Sequence, residues 1–485
     1  MRIRRVAFTL CTVRVRLAAK LLLASLAFTL ATAFWCATAQ AALFNFGIKD
    51  EQELGREFEV LIRSRMPLIE DPEIKLYVQD IVGKLAASMP PQPFPFQSHV
   101  LIYHSMNAFA VPGGNVFVQT GLITELDHES ELAAVLAHEL AHVTQRHVAM
   151  NIERSQTLAI GSMIGALAGL FLGGGGQIGS ALATGSIAAG QAAMLSYSRS
   201  DETEADQLGM QYLIKAGYPP SGMVGSFKKI RAKQWATGIV VPPYLSTHPD
   251  VGRRVSEMEA RLQTMPPAIR NRKNDDARFR RVKTLIIARH DDADLAARRF
   301  AKAPAGDAVI QMGKGILAAR RNRVPEADAA FNQALALAPG DALILREAGR
   351  FYYTTGDKRA AQTLRKALDC DPRDVMAQFF YARTLDASGN KRDAQDYYAQ
   401  VLQTVPEDSE VHYVYGRSLG ESGRHFPAYL HLTYSAVYEN NTRKAKAMIK
   451  QARATARTPE DKAALERLEG VIKERSTYWP DKDVL

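Results

Sequence analysis

The chain has 485 residues, more than one hydrophobic core organises, and this length predicts two or three domains. Its 47% hydrophobic and 23% charged residues are typical of a folded, water-soluble protein rather than of a disordered chain. The net charge of +10 overstates its basic character, because residues 1–41 hold six basic residues and no acidic one. The remainder carries 55 basic and 51 acidic residues, a net charge of +4 that argues against nucleic acid as a partner.

Residues 1–41 have the pattern of an export signal. Basic residues near the start precede the apolar run LLLASLAFTLATAFWCA and then a stretch of small residues. Ala39–Ala41 forms an acceptable cleavage site, so the sequence predicts a signal peptide that is removed before Ala42, with an uncleaved membrane anchor as the alternative. Two of the three cysteines lie in this segment, and Cys370 is left without an internal disulfide partner.

Residues 42–265 are predicted to form one domain, mainly helical with a small β-sheet. Apolar positions at helical spacing run from about 50 to 90, where a Pro-rich stretch ends them. Two strand-like runs follow, HVLIYH and, after the turn VPGG, NVFVQTGLI. If the second run is a sheet edge, an unfolded polypeptide can bind by adding a strand to it; an ordinary hairpin with a covered edge is the alternative.

The next helix, ELAAVLAHELAHVTQRH, contains the motif His138-Glu139-Leu-Ala-His142. Because residues four apart lie on one helical face, the two histidines direct their imidazoles at one ion. Glu139 lies one position round, where it can reach a water on that ion without ligating it. Catalytic zinc takes three protein ligands and keeps one position for water, so a third ligand must come from elsewhere. His147 is off this face and is predicted at the surface.

Residues 157–195 are rich in small apolar residues and contain GGGG. The first apolar run, about 16 residues, falls short of the roughly 20 that span a bilayer. We interpret the segment as tightly packed helices or as a lid over the site with the glycines as its hinge, and membrane insertion is the alternative.

The third ligand is predicted within ETEAD. Glu202 and Asp206 lie one helical turn apart, so Glu202 can complete the metal sphere while Asp206 accepts a hydrogen bond from a ligand imidazole. Glu204 is the rival ligand, on the opposite side of the helix.

An internal repeat of about 34 residues occupies residues 308–441. Three copies and a weaker fourth have Gly, Ala, aromatic and Pro residues at the positions where a tetratricopeptide repeat has them. In such a repeat the small residues let paired helices approach, and proline ends the second helix. The sequence therefore predicts a repeat α-solenoid at 301–485, joined through a charged helical connector at 266–300.

HELAH, then ETEAD about 60 residues later, then STHP with Arg254 beyond, resemble the metallopeptidases related to the CAAX prenyl protease and the bacterial heat-shock membrane protease. The resemblance implies one zinc ion per chain, with Glu202 as the third ligand. With the export signal and the repeats, it implies a periplasmic zinc endopeptidase that acts on outer-membrane β-barrel proteins stalled during assembly and has a chaperone-like role in their maturation.

Two further residues have candidate roles in the site. The resemblance implies that His248 of STHP binds the zinc as a fourth ligand and holds the enzyme shut, since an imidazole in the open position displaces the catalytic water. A histidine that merely precedes a helix-starting Pro-Asp is the alternative. Arg254 is a candidate contact for the substrate or the developing oxyanion, against the alternative of a solvated helical arginine.

The solenoid predicts a protein partner on its concave face, either the outer-membrane assembly machinery or its clients, and peripheral contact with a membrane stays open. The second hypothesis is a non-proteolytic periplasmic chaperone or scaffold. Its zinc would be structural, with all four ligands from protein and His248 as a permanent fourth.

Overall fold

The computed structural model describes residues 46–155, 163–165, 167, 197–237, 244, 248 and 250–476. The predicted signal peptide at 1–41 lies outside this part of the chain, as does the predicted lid at 157–195 except for 163–165 and 167. Among the described residues, no helix combines the length and the apolar character needed to cross a membrane.

The first half of the chain contains a small sheet among helices. Its elements are α1 (Ile48–Arg65), α2 (Pro72–Ala86), β1 (Gln97–Leu101), β2 (Ala108–Val111), β3 (Asn115–Gln119), α3 (Thr120–Glu125), α4 (Glu129–Thr144), α5 (His147–Ser155), α6 (Arg199–Lys215), α7 (Ser221–Thr237) and α8 (Val251–Thr264).

The second half is entirely helical in its described residues. Its elements are α9 (Pro267–Arg270), α10 (Ala277–His290), α11 (Ala293–Ala301), α12 (Ala308–Arg320), α13 (Val324–Leu337), α14 (Ala342–Thr354), α15 (Ala360–Cys370), α16 (Val375–Ala387), α17 (Lys391–Thr404), α18 (Ser409–Glu421), α19 (His425–Tyr438), α20 (Thr442–Thr455) and α21 (Pro459–Ser476).

The sheet has the strand order β1-β3-β2, with β1 parallel and β2 antiparallel to β3. The sequence analysis missed β2, which forms a hairpin with β3 across Pro112–Gly114. Gly113 and Gly114 have φ of 85° and 92°, a conformation that favours glycine. The run NVFVQTGLI is strand only in its first part and is the interior strand, so the expectation that it forms a sheet edge is wrong.

Helix α4 lies at the centre of the larger hydrophobic core. Every residue from Ser130 to Val143 is buried, because α4 is covered by α2, α6, α7 and the sheet. A helix that is apolar on nearly all faces is stable only in such surroundings, so any polar side chain on it must find its partners inside the protein.

The solenoid consists of antiparallel helix pairs, α12–α13, α14–α15, α16–α17 and α18–α19, followed by α20 and α21. The small residues of the repeat lie where the paired helices meet. A Cβ at Gly349 would come within 2.6 Å of Leu364 Cγ, and a Cβ at Gly315 within 3.0 Å of the Phe331 ring. The predicted fold class, a mainly helical chain with a small sheet and a repeat α-solenoid, is confirmed.

The predicted connector at 266–300 contributes to the core as well as linking the two halves. Helix α10 buries Phe279, Val282, Leu285 and Ile286 in the cluster that also contains α4. Its arginines lie on another face, where Arg278 and Arg281 pair with Asp80 and Asp341. The charges that mark this segment in the sequence therefore form ion pairs, and its apolar residues pack inward.

A buried ion network joins the first half to the solenoid. Arg289 of α10 pairs with Asp71, the N-cap of α2, and its other nitrogen lies 2.5 Å from Glu347 of α14. Arg346 lies 2.9 Å from Glu347 and 3.2 Å from Asp374 at the start of α16. Burial alone would raise the pKa of Glu347, but Arg289 and Arg346 outweigh it and lower that pKa to about 2. Asp71 has a lowered pKa for the same reason.

We expect Arg289→Leu to lower the free energy of unfolding by about 3–5 kcal/mol, because it leaves two carboxylates buried without their shared partner. Denaturant unfolding at pH 7 measures this loss, and Arg365→Leu, in an exposed pair with Asp369, is the control and should change little.

Wild type should also lose stability in acid. Since the folded pKa of Glu347 lies below its ordinary value of 4.5, its contribution is present above pH 4.5 and is lost as the pH falls towards 2. A wild-type stability that is flat between pH 5 and 3, or an Arg289→Leu protein as stable as wild type, would contradict this account.

Candidate metal centre

Helix α4 supplies two of the side chains in the candidate site. His138 and His142 lie one turn apart, both fully buried, with their Nε2 atoms 3.1 Å from each other. Glu131 supports the start of the helix, since its carboxylate accepts hydrogen bonds from the backbone N–H groups of Asp127 and His128. The spacing predicted from the sequence therefore brings the two rings together on one face.

Helix α6 supplies two carboxylates. It begins at a capping box between Ser198 and Asp201, and it packs directly along α4. Gly209 permits a close approach of the two helices, since a Cβ at this position would come within 3.1 Å of the His138 backbone. This glycine is the signal for the helix contact that the sequence analysis did not use.

The two carboxylates of α6 meet different atoms of the α4 histidines. Glu202 has one oxygen 3.6 Å from His138 Nε2 and the other 3.4 Å from His142 Nε2. Asp206 lies on the far side of the His138 ring, with Oδ1 3.0 Å from Nδ1. Glu202 thus faces the point at which both rings aim, and Asp206 lies behind one of them.

His248 completes the cluster from a third direction. Its Nδ1 lies 2.8 Å from Glu202 Oε1 and 3.3 Å from His138 Nε2, and its Nε2 is directed at Glu139, 3.5 Å from Oε1. The ring is fully buried and stacks on Tyr244 at 4.3 Å between centroids. One atom each from His138, His142, Glu202 and His248 falls within a group less than 4.8 Å across.

The spacing of these atoms fits a metal ion. An ion with four tetrahedral bonds of about 2.0–2.1 Å separates its ligand atoms by roughly 3.3 Å. The distances from Glu202 and His138 to their neighbours in the group span 2.8 to 3.6 Å. Both Glu139 oxygens are buried and accept no hydrogen bond from the described residues. The donors therefore suit an ion, and a carboxylate beside them is left for a further ligand or water.

The charges of the site are strongly coupled. Burial would raise the pKa of Glu202, but the charges of His248 and Arg254 hold it well below its usual range, so the carboxylate is ionised. Burial raises the pKa of Glu139, in part offset by the neighbouring histidines. Burial lowers the pKa of His142 well below its usual value, which favours the neutral ring that a metal requires. Burial also acts to lower the pKa of His138, but Asp206 and Glu202 raise that pKa to about 9, so this ring must lose a proton before it binds an ion.

Arg254 of α8 is fully buried behind the carboxylates. Its Nε and Nη2 donate to both oxygens of Asp206 at 2.8 and 2.7 Å, and its Nη1 pairs with Glu202. Its guanidinium lies 4.6 Å from the centre of the Phe227 ring. Arg254 therefore pairs with the two acids of α6 and also lies 3.3 Å from His138 Nε2, and contact with a substrate stays a prediction.

His147 differs from the sequence-based expectation, and Glu204 lies apart from the group of four. His147 is buried, with Nδ1 2.8 Å from Nδ1 of His142, so its predicted surface location is wrong. It begins α5, and the turn after α4 places it against the His142 ring. Glu204, the rival ligand, lies outside the group of four and contacts His147 Nε2 at 3.4 Å. No spacing rule identifies His147, because its location depends on the turn and not on the helix.

The fold and the site together define a domain of the His-Glu-x-x-His metal class, followed by a repeat solenoid. Residues 69–262 match peptidase family M48, and residues 312–375 and 358–418 match tetratricopeptide repeat families. Residues 69–262 are therefore similar to peptidase family M48, and the prediction of a metallopeptidase domain with repeats is confirmed at that level.

The curated relatives agree with the resemblance seen in the motifs. The β-barrel assembly-enhancing protease of Yersinia pestis is 31% identical over 302 residues, which cover 61% of this chain and 62% of the relative. The protein of that name from Escherichia coli is 30% identical over 306 residues, 62% of each chain. A mitochondrial metalloendopeptidase of Schizosaccharomyces pombe is 31% identical over 201 residues, 41% of this chain and 56% of the relative. The match to the first two spans about three fifths of their length.

We expect the purified protein to contain one divalent metal ion per chain and Glu202→Gln to contain well under half of that amount, because the substitution removes the only anionic donor of the group. Elemental analysis after gel filtration measures the content. Glu257→Gln, at an exposed residue of α8 away from the site, is the control and should keep the full content. An equal loss in both variants, or full content in Glu202→Gln, would contradict the assignment of Glu202 as a ligand.

Proposed function

We propose that the chain is a zinc-dependent endopeptidase of the bacterial periplasm that cleaves misassembled outer-membrane β-barrel proteins. The observation that carries the proposal is the buried group of His138, His142 and Glu202, beside which the Glu139 oxygens accept no hydrogen bond from the described residues. Two imidazoles and one carboxylate at tetrahedral spacing are a donor set that suits zinc. The names of the curated relatives support the substrate class.

In this proposal each residue has a separate role. When bound, zinc supplies a water that is acidic enough to lose a proton near pH 7, and it polarises a peptide carbonyl. Glu139 accepts that proton on a carboxylate oxygen as the water attacks, and then donates it to the leaving amine nitrogen. Asp206 accepts a hydrogen bond from Nδ1 of His138 and so directs Nε2 of that ring at the ion. Arg254 balances the charge of the two acids.

We expect Glu139→Gln to lower the cleavage rate of casein or of an unfolded β-barrel protein by about 10²–10⁴-fold, because the amide cannot accept the proton. The metal content should stay at one ion per chain, since Glu139 is not among the ligands. Gel-based assays at equal metal loading make the measurement, with Glu257→Gln, an exposed residue of α8, as the control. Equal cleavage by wild type and Glu139→Gln would overturn the assignment.

His248 is proposed as the ligand that keeps the enzyme at rest. His248 is among the four grouped residues, with Nδ1 facing Glu202 and His138 and Nε2 facing Glu139. An imidazole in this position occupies the place that the attacking water needs, so the ring must move before cleavage. Such a control would keep an exported peptidase inactive until a substrate arrives.

We expect His248→Ala to raise the cleavage rate severalfold while the metal content stays near one ion per chain, because three protein ligands remain. Cleavage assays and elemental analysis on the same preparation check both parts, and His104→Ala, an exposed histidine, is the control.

The non-proteolytic chaperone with a structural zinc is the second candidate. The inclusion of His248 in the group favours it, because a structural zinc site takes all four ligands from protein. If His248→Ala loses its metal and no form of the protein cleaves, this second candidate replaces the first.

The outer edge of β2 is proposed as the place where a substrate strand is added. Gln119 N–H donates to Asn107 C=O, so the backbone groups of the next residue, Ala108, and of Ala110 point away from β3. Among the described residues they have no partner in another segment. Ala110 also lines the same small cavity as His142. An unassembled β-barrel strand would bind there through backbone hydrogen bonds, with little dependence on its sequence.

The solenoid is proposed to dock the outer-membrane assembly machinery or its clients, and through it the chain would act as a chaperone in barrel maturation. The tetratricopeptide repeats support a role in binding proteins. The proposed location rests on the predicted signal peptide at 1–41 and on the names of the relatives.

A further inference from the structure

The two ring nitrogens of His142 face different groups. Nε2 faces the metal group, 3.4 Å from Glu202 and 3.1 Å from Nε2 of His138. Nδ1 points the other way and lies 2.8 Å from Nδ1 of His147. If Nε2 binds an ion through its lone pair, the ring proton must be on Nδ1. The Nδ1–H of His142 therefore donates to Nδ1 of His147.

This hydrogen bond determines the tautomer of the second ring as well. A neutral His147 that accepts at Nδ1 carries its proton on Nε2. That N–H faces the carboxylate of Glu204 at 3.4 Å, and Glu204 is 54% exposed in its side chain. A chain of two imidazoles and one carboxylate thus runs from the metal group to the surface, with each donor facing an acceptor.

The two ligand histidines of α4 are therefore held in different ways. Nδ1 of His138 faces the carboxylate of Asp206, which is itself held by Arg254. Nδ1 of His142 faces the imidazole ring of His147. A metal-bound histidine usually donates its second N–H to a carboxylate, a backbone carbonyl or water, so an imidazole acceptor is an unusual partner that must be brought into place by the fold.

The turn between α4 and α5 brings His147 into place. Arg146 has φ of 56°, a left-handed conformation that costs energy in a residue other than glycine. Three contacts hold it there: its side chain donates to Glu51 at 2.6 Å and to the Phe46 carbonyl at 2.8 Å, and its backbone N–H donates to the Val143 carbonyl at 2.9 Å. This turn ends α4 and changes the direction of the chain, and His147 then lies against His142.

Packing restricts both rings to this arrangement. The ring of Tyr197 stacks on His142 at 3.7 Å between centroids, and His147 lies edge-on to His142 at 5.0 Å. Only 1% of the surface of His147 is exposed, so water does not compete for its Nδ1.

We propose that His147 is a positioning residue of the metal site: its Nδ1 accepts the hydrogen bond that directs Nε2 of His142 at the ion, and its own orientation is set by Glu204 and by the Arg146 turn. The inference rests on the proposed metal site but not on proteolysis. It predicts that an acceptor at the position of Nδ1, and not the imidazole as such, is what metal binding requires.

The test compares His147 variants that keep or remove this acceptor. Asparagine places its amide oxygen close to the position of Nδ1, while leucine keeps the volume without an acceptor and alanine removes both. We expect His147→Leu and His147→Ala to weaken the apparent affinity for Zn²⁺ by about 10–100-fold, and His147→Asn to stay within about fivefold of wild type. Competition with a chromophoric chelator at pH 7.5 measures the affinity. Glu204→Gln, which keeps an acceptor for Nε2–H, should change it less than His147→Leu does.

Denaturant unfolding of the metal-free proteins in EDTA separates positioning from general stability. The proposal is supported if the leucine and asparagine variants have similar stability without metal but differ in Zn²⁺ affinity. If His147→Leu does not fold, His147→Ala takes its place. Wild-type affinity in both acceptor-free variants would overturn it, as would an asparagine variant as weak as they are. A wild type that binds no Zn²⁺ overturns it too. The two proposals can fail separately. If the Zn²⁺ affinities of wild type and its variants follow the expected order but wild type cleaves no substrate, the proposed peptidase function fails and this inference stands.

Discussion

The structure depends on one buried carboxylate, Glu202, held among three imidazoles and a guanidinium. An ionised carboxylate in a protein interior is strongly unfavourable unless opposite charges and hydrogen bonds compensate it. Arg254 provides part of that compensation through an ion pair, and Asp206 in turn balances Arg254. Because the donors come from α4, α6, α8 and the segment at His248, these elements must converge at one point before the charge can be buried at all.

The convergence of these side chains requires close packing of the helices around them. Helix α4 is surrounded on all sides, so its histidines have no access to bulk water, and α6 reaches them only because Gly209 has no side chain. Helix α2 covers another face of α4, where Tyr77 donates a hydrogen bond to Glu129 at 3.1 Å. The same α2 begins at Asp71, which belongs to the ion network of the solenoid. The helix that shields α4 is therefore also the one that contacts the ion network of the repeats.

The sequence predicted much of this arrangement because its signals are local. Residues four apart must share a helical face, so the joint approach of His138 and His142 needed no knowledge of the fold, and the spacing of ETEAD made Glu202 and Asp206 candidates with distinct roles. The repeat period likewise predicted helix pairs. The failures were non-local: β2 is too short to be recognised without its partner strand, and NVFVQTGLI could not be known to be an interior strand before the order β1-β3-β2 was seen.

The sequence by itself determined the class of chemistry and the order of the domains, since a helical motif and a repeat period are properties of neighbouring residues. Only the tertiary structure decided which side chains from distant segments join them. Arg254 could have been a solvated arginine or a substrate contact, and its burial against two acids followed from the packing of α8. His147 passed for a surface residue because nothing in its spacing reveals a left-handed turn at Arg146. A turn that changes the direction of the chain changes the neighbours of a residue without changing the local sequence pattern that surrounds it.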